Sequence, residues 1–263
     1  MTPTLTALDP TPPAPQPDHL HDRPPATIAG VLLRWRYTVP ALLGVFVFLA
    51  LAAAIAGGRL LLTWDKPIQQ WVESNRTDFL DTFFIYATRL GSLQVVIFGL
   101  VVLLLIAFRK CPSLFMLVLG AALARPLFEF VLKASVGRER PDLDRLVGAD
   151  GPSFPSGHPL AAIALWGLVP PVVALATNRR VWWWVATAVS GTAIVLVAAS
   201  RVYMGVHWFS DAVASLVFGA VFLLVVERLV DVGHRRYPCP TGCPEKKKLI
   251  KKLSVLPVGA SGR

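Results

Sequence analysis

Apolar residues gather into six long runs, at about 38–57, 91–108, 113–132, 159–177, 181–199 and 212–230. Each approaches the ~20 residues that a membrane-crossing helix needs. The polar breaks between them are of two kinds. Arg109-Lys110 and Asn178-Arg179-Arg180 are short turns joining the second run to the third and the fourth to the fifth. The breaks at 58–90, 133–158 and 200–211 are long and fall on the opposite side. No strand-like alternation survives outside the breaks, and no internal repeat is evident. Trp64, Trp71, Trp182, Trp183, Trp184 and Trp208 flank the runs, where interfacial anchors belong. The pattern predicts an all-α polytopic membrane protein, a bundle of six transmembrane helices.

Composition agrees. The chain is 54% hydrophobic and 16% charged, where a soluble domain carries about a quarter charged residues. Residues 1 to about 30 hold eight prolines and no periodicity, which predicts a disordered amino tail over 1–36. The membrane unit is expected over 37–232 and a basic carboxyl tail over 233–263. The first apolar run starts too far along the chain for a cleavable signal peptide, so it reads as a retained span.

Charge sets an orientation. The amino tail, the two short turns and the stretch from Arg228 onward hold 16 Lys/Arg, against 9 in the three long breaks. The positive-inside rule then puts both termini in the cytoplasm of a plasma-membrane protein and the long breaks outside. The net charge of +10 resides mainly in the carboxyl tail, whose Lys246-Lys247-Lys248 and Lys251-Lys252 suit an anionic inner leaflet. Without aromatic interleaving or a folded module, this tail does not read as a nucleic-acid binder. Three cysteines give no disulfide framework. Cys239 and Cys243 with His234 would lack a fourth metal ligand.

The long breaks carry the candidate chemistry. In Ser200–Asp211, His207 and Asp211 are four apart, so on a helix they share one face and the carboxylate can hold the imidazole. One ring nitrogen then donates to Asp211, and the other offers its lone pair as nucleophile or base. Arg201 is a fork of donors suited to phosphate oxygens. The plainer reading is an interfacial histidine beside a helix-capping aspartate. Two further blocks bear on the choice. Lys133, Arg140 and Pro141 form Lys-x6-Arg-Pro, and Pro155-Ser156-Gly157-His158 opens the fourth run. Lys133, Arg140 and Arg201 offer three cations for one phosphate. A helix starting at Ser156-Gly157 would aim free N–H groups at an anion.

Lys-x6-Arg-Pro, Pro-Ser-Gly-His and Ser-Arg-x5-His-x3-Asp together resemble the signature of the phosphatidic-acid-phosphatase type 2 family of integral-membrane lipid phosphatases. The match runs from Lys133 to Asp211 and keeps order and spacing. The resemblance implies that His207 attacks phosphorus to form a phosphohistidine, that Asp211 orients it, and that His158 protonates the leaving oxygen and later activates water. It further implies that Lys133, Arg140, Ser156, Gly157 and Arg201 hold the phosphate. Among family substrates, the compact six-span form suggests undecaprenyl diphosphate, with phosphatidic acid and phosphatidylglycerol phosphate as alternatives. No metal-binding carboxylate cluster lies near the blocks, and Asp142, Asp144 and Asp150 read as solvated turn residues. The expectation is metal-independent hydrolysis with no cofactor. A lipid-phosphate transporter and a silent lipid-binding relative are the rival readings, and the complete set of His158, His207 and Asp211 speaks against both.

Arg125 and Glu129 fall outside the signature. With Lys133 they follow at i,i+4 spacing along the third run, one charged stripe with Glu129 between two cations. A charge near mid-membrane costs at least ~2.5 kcal/mol on insertion scales, so such residues pair or face a polar cavity. The stripe is either a packing ion pair or a support by which Glu129 aims Lys133.

Overall fold

A computed structural model describes residues 35–57, 62–142, 144–177 and 179–236. The proline-rich amino tail, Cys239, Cys243 and the lysine clusters lie outside them. The described chain is helical: α1 Trp35–Ala56, α2 Leu62–Ser74, α3 Asp78–Ala87, a 3-10 turn Thr88–Gly91, α4 Leu93–Lys110, α5 Pro112–Val136, α6 Gly157–Trp166, α7 Val169–Thr177, α8 Arg180–Tyr203 and α9 Phe209–Arg236. Five segments are long and apolar enough to cross a membrane. A sixth joins α3 and its 3-10 turn to α4 across a 41° bend. All six apolar runs are therefore helical, and the fourth is α6 and α7 interrupted at Gly167-Leu168.

Much of the apolar surface points outward. Phe46, Phe98, Leu105, Leu123, Phe130 and Val189 are exposed, a pattern that lipid satisfies and water does not. The interior is narrower. Val96, Leu100, Leu103 and Ala107 of α4 pack with Leu114, Val118 and Ala121 of α5 and with Leu165 and Val172 of the broken span. α1 lies against α9, and Phe48 stacks on Phe154 at 5.9 Å and meets Phe218 in a tilted contact at 5.2 Å. Cys111, between α4 and α5, is fully buried and disulfide-bonded, a pairing that the cysteine count alone did not offer.

The break at 58–90 departs from the expectation of a plain connection, for it contains two helices. α2 is short but two-faced. Asp65, Gln69 and Val72 are buried at i, i+4 and i+7, while Trp64 and Trp71 are exposed. α3 starts at a Thr77 cap whose side chain accepts the Leu80 N–H.

Three local features aim the chain at the site. α5 runs past Lys133 to Val136 and stops at Gly137, whose φ of 60° is the left-handed conformation that glycine tolerates best. The next residues, Arg138 to Pro141, turn back over the bundle, and Pro141 is buried. α8 ends at Tyr203, and the 204–208 turn folds back so that the Val206 and His207 N–H groups both reach the Arg201 carbonyl at 3.3 Å.

Candidate active site

A cavity of about 300 Å³ opens where these segments converge. Its wall includes Arg125, Glu129 and Lys133 of α5, Arg140 and Asp150 of the following loop, Gly157 and His158 of α6, Arg201 of α8, and His207. Residues far apart in sequence thus meet around one polar space. Asp211 lies behind His207, fully buried. Ser156 is also buried and off the cavity wall, and its hydroxyl has no partner among the described residues. Its N–H donates to Ser215 Oγ at 2.9 Å. Asp142 and Asp144 are exposed as expected of turn residues, but Asp150 is on the wall.

Arg140 is held by backbone. Its guanidinium donates to the carbonyls of Gly151 (2.9 Å), Val206 (2.7 Å), Asp150 (2.9 Å) and Pro152 (3.4 Å). One Nη1 hydrogen points instead to His207 Nε2 at 3.2 Å. Arginine has no acceptor, so Nε2 must be the lone-pair nitrogen and the neutral ring carries its hydrogen on Nδ1. Burial, together with the charges of Arg140 and Arg201 and against the pull of Asp211, pushes the His207 pKa down to about 4. The ring is therefore neutral at pH 7.

The His207–Asp211 pair is not built along a helix face. His207 sits in the turn before α9, and its Nδ1 is 3.7 Å from Asp211 Oδ2. That oxygen already accepts the Trp208 N–H at 3.0 Å, as an N3 carboxylate does when it reaches back to a helix cap. It also accepts the Ser153 hydroxyl at 2.5 Å. Ser153 Oγ is 3.4 Å from Nδ1 and so stands between imidazole and carboxylate. The other oxygen, Oδ1, takes Arg138 at 2.5 Å. Asp211 thus caps α9, and it faces His207 from 3.7 Å, beyond a direct hydrogen bond, with the Ser153 hydroxyl between them.

The α5 stripe forms as its spacing predicts. Glu129 meets Arg125 at 2.8 Å and Lys133 at 3.1 Å. Arg125 also reaches the Gly157 carbonyl at 3.5 Å. A Cβ on Gly157 would lie 2.2 Å from Glu129 Oε1, so only glycine lets this carboxylate so near the start of α6. Arg201 donates to Thr88 Oγ1 at 3.2 Å. Among the described residues, no group of three or more His, Cys, Asp or Glu is placed to hold a metal ion.

Sequence reasoning missed Asp65, Arg138 and Ser153. Arg138 and Ser153 each lie within a few residues of a signature block, and their proximity was the available signal. Asp65 had only one hint, a carboxylate between the interfacial Trp64 and Trp71.

Comparison with known proteins covers most of this architecture. Residues 109–232 match the model of the PAP2 superfamily. Phosphatidylglycerophosphatase B of Bacillus subtilis is 27% identical over 190 residues, which is 69% of this chain and 91% of that protein. The crystal structure of a transmembrane PAP2-type phosphatidylglycerolphosphate phosphatase from Bacillus subtilis superposes with a TM-score of 0.63 at 26% identity, covering 71% of this chain and 94% of that one. The structure of Aquifex aeolicus LpxE shares the fold, with a TM-score of 0.50 at 22% identity over 62% of this chain and 94% of its own.

Proposed function

We propose that this chain, whose residues 109–232 match the model of the PAP2 superfamily, is a membrane lipid phosphatase and that hydrolysis runs through a phosphohistidine on His207. The observation that carries this reading is the convergence of Lys133, Arg140, Arg201, His158 and His207 on one cavity, with Nε2 of a neutral His207 as the lone-pair nitrogen. Phosphoryl transfer needs its equatorial oxygens neutralised, a nucleophile in line and a proton for the leaving oxygen. The three cations supply the first, His207 the second and His158 the third. Gly157, on the cavity wall at the start of α6, completes the phosphate cradle, and Ser156, buried behind it and tied to Ser215, holds that start in place. Glu129 aims Lys133, and Arg125 balances Glu129. No step calls for a metal, and three protein cations stand where a divalent ion would act.

The substrate we favour is a lipid phosphate monoester like phosphatidylglycerol phosphate, as the names of the Bacillus relatives suggest. Undecaprenyl diphosphate is the second reading. Arg125 places a further cation on the cavity wall beyond Lys133, although Glu129 between them opposes a second phosphate. The Lys/Arg asymmetry supports an active site on the outer face, with both termini in the cytoplasm and the basic tail at the inner leaflet.

The test is phosphate release by the detergent-purified full chain from phosphatidylglycerol phosphate, phosphatidic acid and undecaprenyl diphosphate, with and without chelator. The proposal expects chelator-resistant activity, highest on a monoester, and complete loss in His207→Ala. Ample turnover by His207→Ala would refute the nucleophile, and a clear preference for the diphosphate would select the second reading.

A further inference from the structure

Behind His207, Arg138 is clamped between two carboxylates. Its Nη2 is 2.6 Å from Asp65 Oδ2 and its Nη1 is 2.5 Å from Asp211 Oδ1. The three side chains are 8%, 1% and 0% exposed respectively. Ser210 seals the group: its N–H donates to Asp65 Oδ1 at 2.9 Å and its hydroxyl to Oδ2 at 2.6 Å, while Arg138 Nη1 reaches the hydroxyl oxygen at 2.7 Å. Two buried anions thus share one cation. Burying unbalanced charge is costly, and Asp65 takes donors on both oxygens, the Ser210 N–H on Oδ1 and the Ser210 hydroxyl and Arg138 on Oδ2, so an asparagine would turn its amide N–H groups against one of them. Once Arg138 is matched, one negative charge of the cluster is left over.

The neighbour able to use it is His207, whose Nδ1 lies 3.7 Å from the remaining Asp211 oxygen. With Arg138 alone, Asp211 would be neutralised as well as fixed. We propose that Asp65 is a positioning residue for the reaction: it cancels the charge of Arg138, so that Asp211 is held rigidly yet still presents net negative charge to His207. This rests on the phosphohistidine reading. In that step the Nε2 lone pair forms the N–P bond while the ester P–O bond breaks. The bonding pair leaves on the lipid oxygen, which takes its proton from His158. Nδ1 keeps its hydrogen, so a neutral ring becomes a cation beside Asp211. Asp65 acts on the stability of that cation and hence on the transition state, not on binding of the phosphate.

A purely structural role, pinning α2 to the bundle, predicts something different. It lowers the melting temperature of Asp65→Asn and leaves kcat per folded molecule unchanged. The proposal expects Asp65→Asn, measured in the full chain in detergent, to lose about tenfold or more in kcat with KM within about twofold, as supporting partners of a reactive group typically do. The burst of acid-labile phosphoenzyme should shrink in parallel. In an Asp211→Asn background the same substitution should cost nothing further, because its charge acts through Asp211. Asp65→Asn/Arg138→Gln removes one charge of each sign and restores the net charge of the cluster, so it should recover kcat relative to Asp65→Asn. Unchanged kcat in Asp65→Asn, an undiminished further loss in the Asp211→Asn background, or a double variant slower than the single would each overturn the proposal. If Asp65→Asn does not fold, the double variant decides: kcat within about tenfold of wild type supports the charge argument, and a loss equal to that of Asp211→Asn refutes it. Failure of the underlying reading shows separately, as absence of any phosphoenzyme in the wild type.

Discussion

Two charged triads flank the reacting centre, and they are mirror images in sign. On α5, Arg125, Glu129 and Lys133 alternate cation, anion, cation, with Glu129 bridging at 2.8 and 3.1 Å. Behind His207, Asp65, Arg138 and Asp211 alternate anion, cation, anion. The first is partly exposed on the cavity wall and keeps a net positive charge, as the proposed phosphate substrate would require. The second is sealed and keeps a net negative charge, as the proposed cationic imidazole would require. In both, the middle residue sets the geometry and the outer pair sets the sign. The difference lies in solvent, which makes the buried triad far more sensitive to loss of a member.

That contrast can be broken most violently at the middle of the buried triad. Arg138→Ala leaves two carboxylates facing each other without a counter-ion, and removing one partner from a buried ionic cluster costs about 3–5 kcal/mol. The outcome expected is a large drop in melting temperature and in yield of folded protein. The equivalent change in the open triad is milder. Glu129→Gln keeps the side chain's shape, so the melting temperature should stay near normal while kcat/KM falls about tenfold. A destabilised Glu129→Gln protein with normal kcat/KM would show instead that the stripe serves packing.

The open triad was legible in the sequence because a helix writes such contacts at i,i+4, and α5 is one unbroken helix through all three residues. The buried triad was not. Asp65 and Arg138 are 73 residues apart, as are Arg138 and Asp211, and nothing in local spacing pairs them. The six spans were legible from apolar run length. α2 was hidden because thirteen residues with a narrow buried face resemble a connection. The helical geometry expected of His207 and Asp211 was wrong for a related reason. Their spacing is the same in a capped turn, where Asp211 reaches back to Trp208 and Ser153 comes between.

A subtler test concerns pH. The folded pKa of His207 is about 4, below its ordinary 6.5, so the unfolded chain takes up that proton first as pH falls. The stability owed to the neutral ring is complete above about 6.5 and is lost progressively as pH falls through about 4. The melting temperature of the wild type should therefore fall more steeply across that window than that of His207→Gln. The smallest effect is expected at the outer end of the open triad. Arg125→Gln removes a partly exposed i,i+4 partner, a loss of about 1 kcal/mol or less, and kcat/KM should change about fivefold at most.

The hydrogen bonds of Arg140 carry one more implication. A guanidinium has five N–H groups, and four of these are fixed on the carbonyls of Asp150, Gly151, Pro152 and Val206. The fifth rests on the very lone pair of His207 that would attack phosphorus. The nitrogen proposed to react is thus capped by a hydrogen bond. An anion lodged in the cavity would offer this hydrogen a charged oxygen in place of the imidazole. Under the phosphohistidine proposal, a phosphate that drew this hydrogen away would uncover the nucleophile by the same movement, so that recognition of the substrate and arming of the catalyst would be a single event.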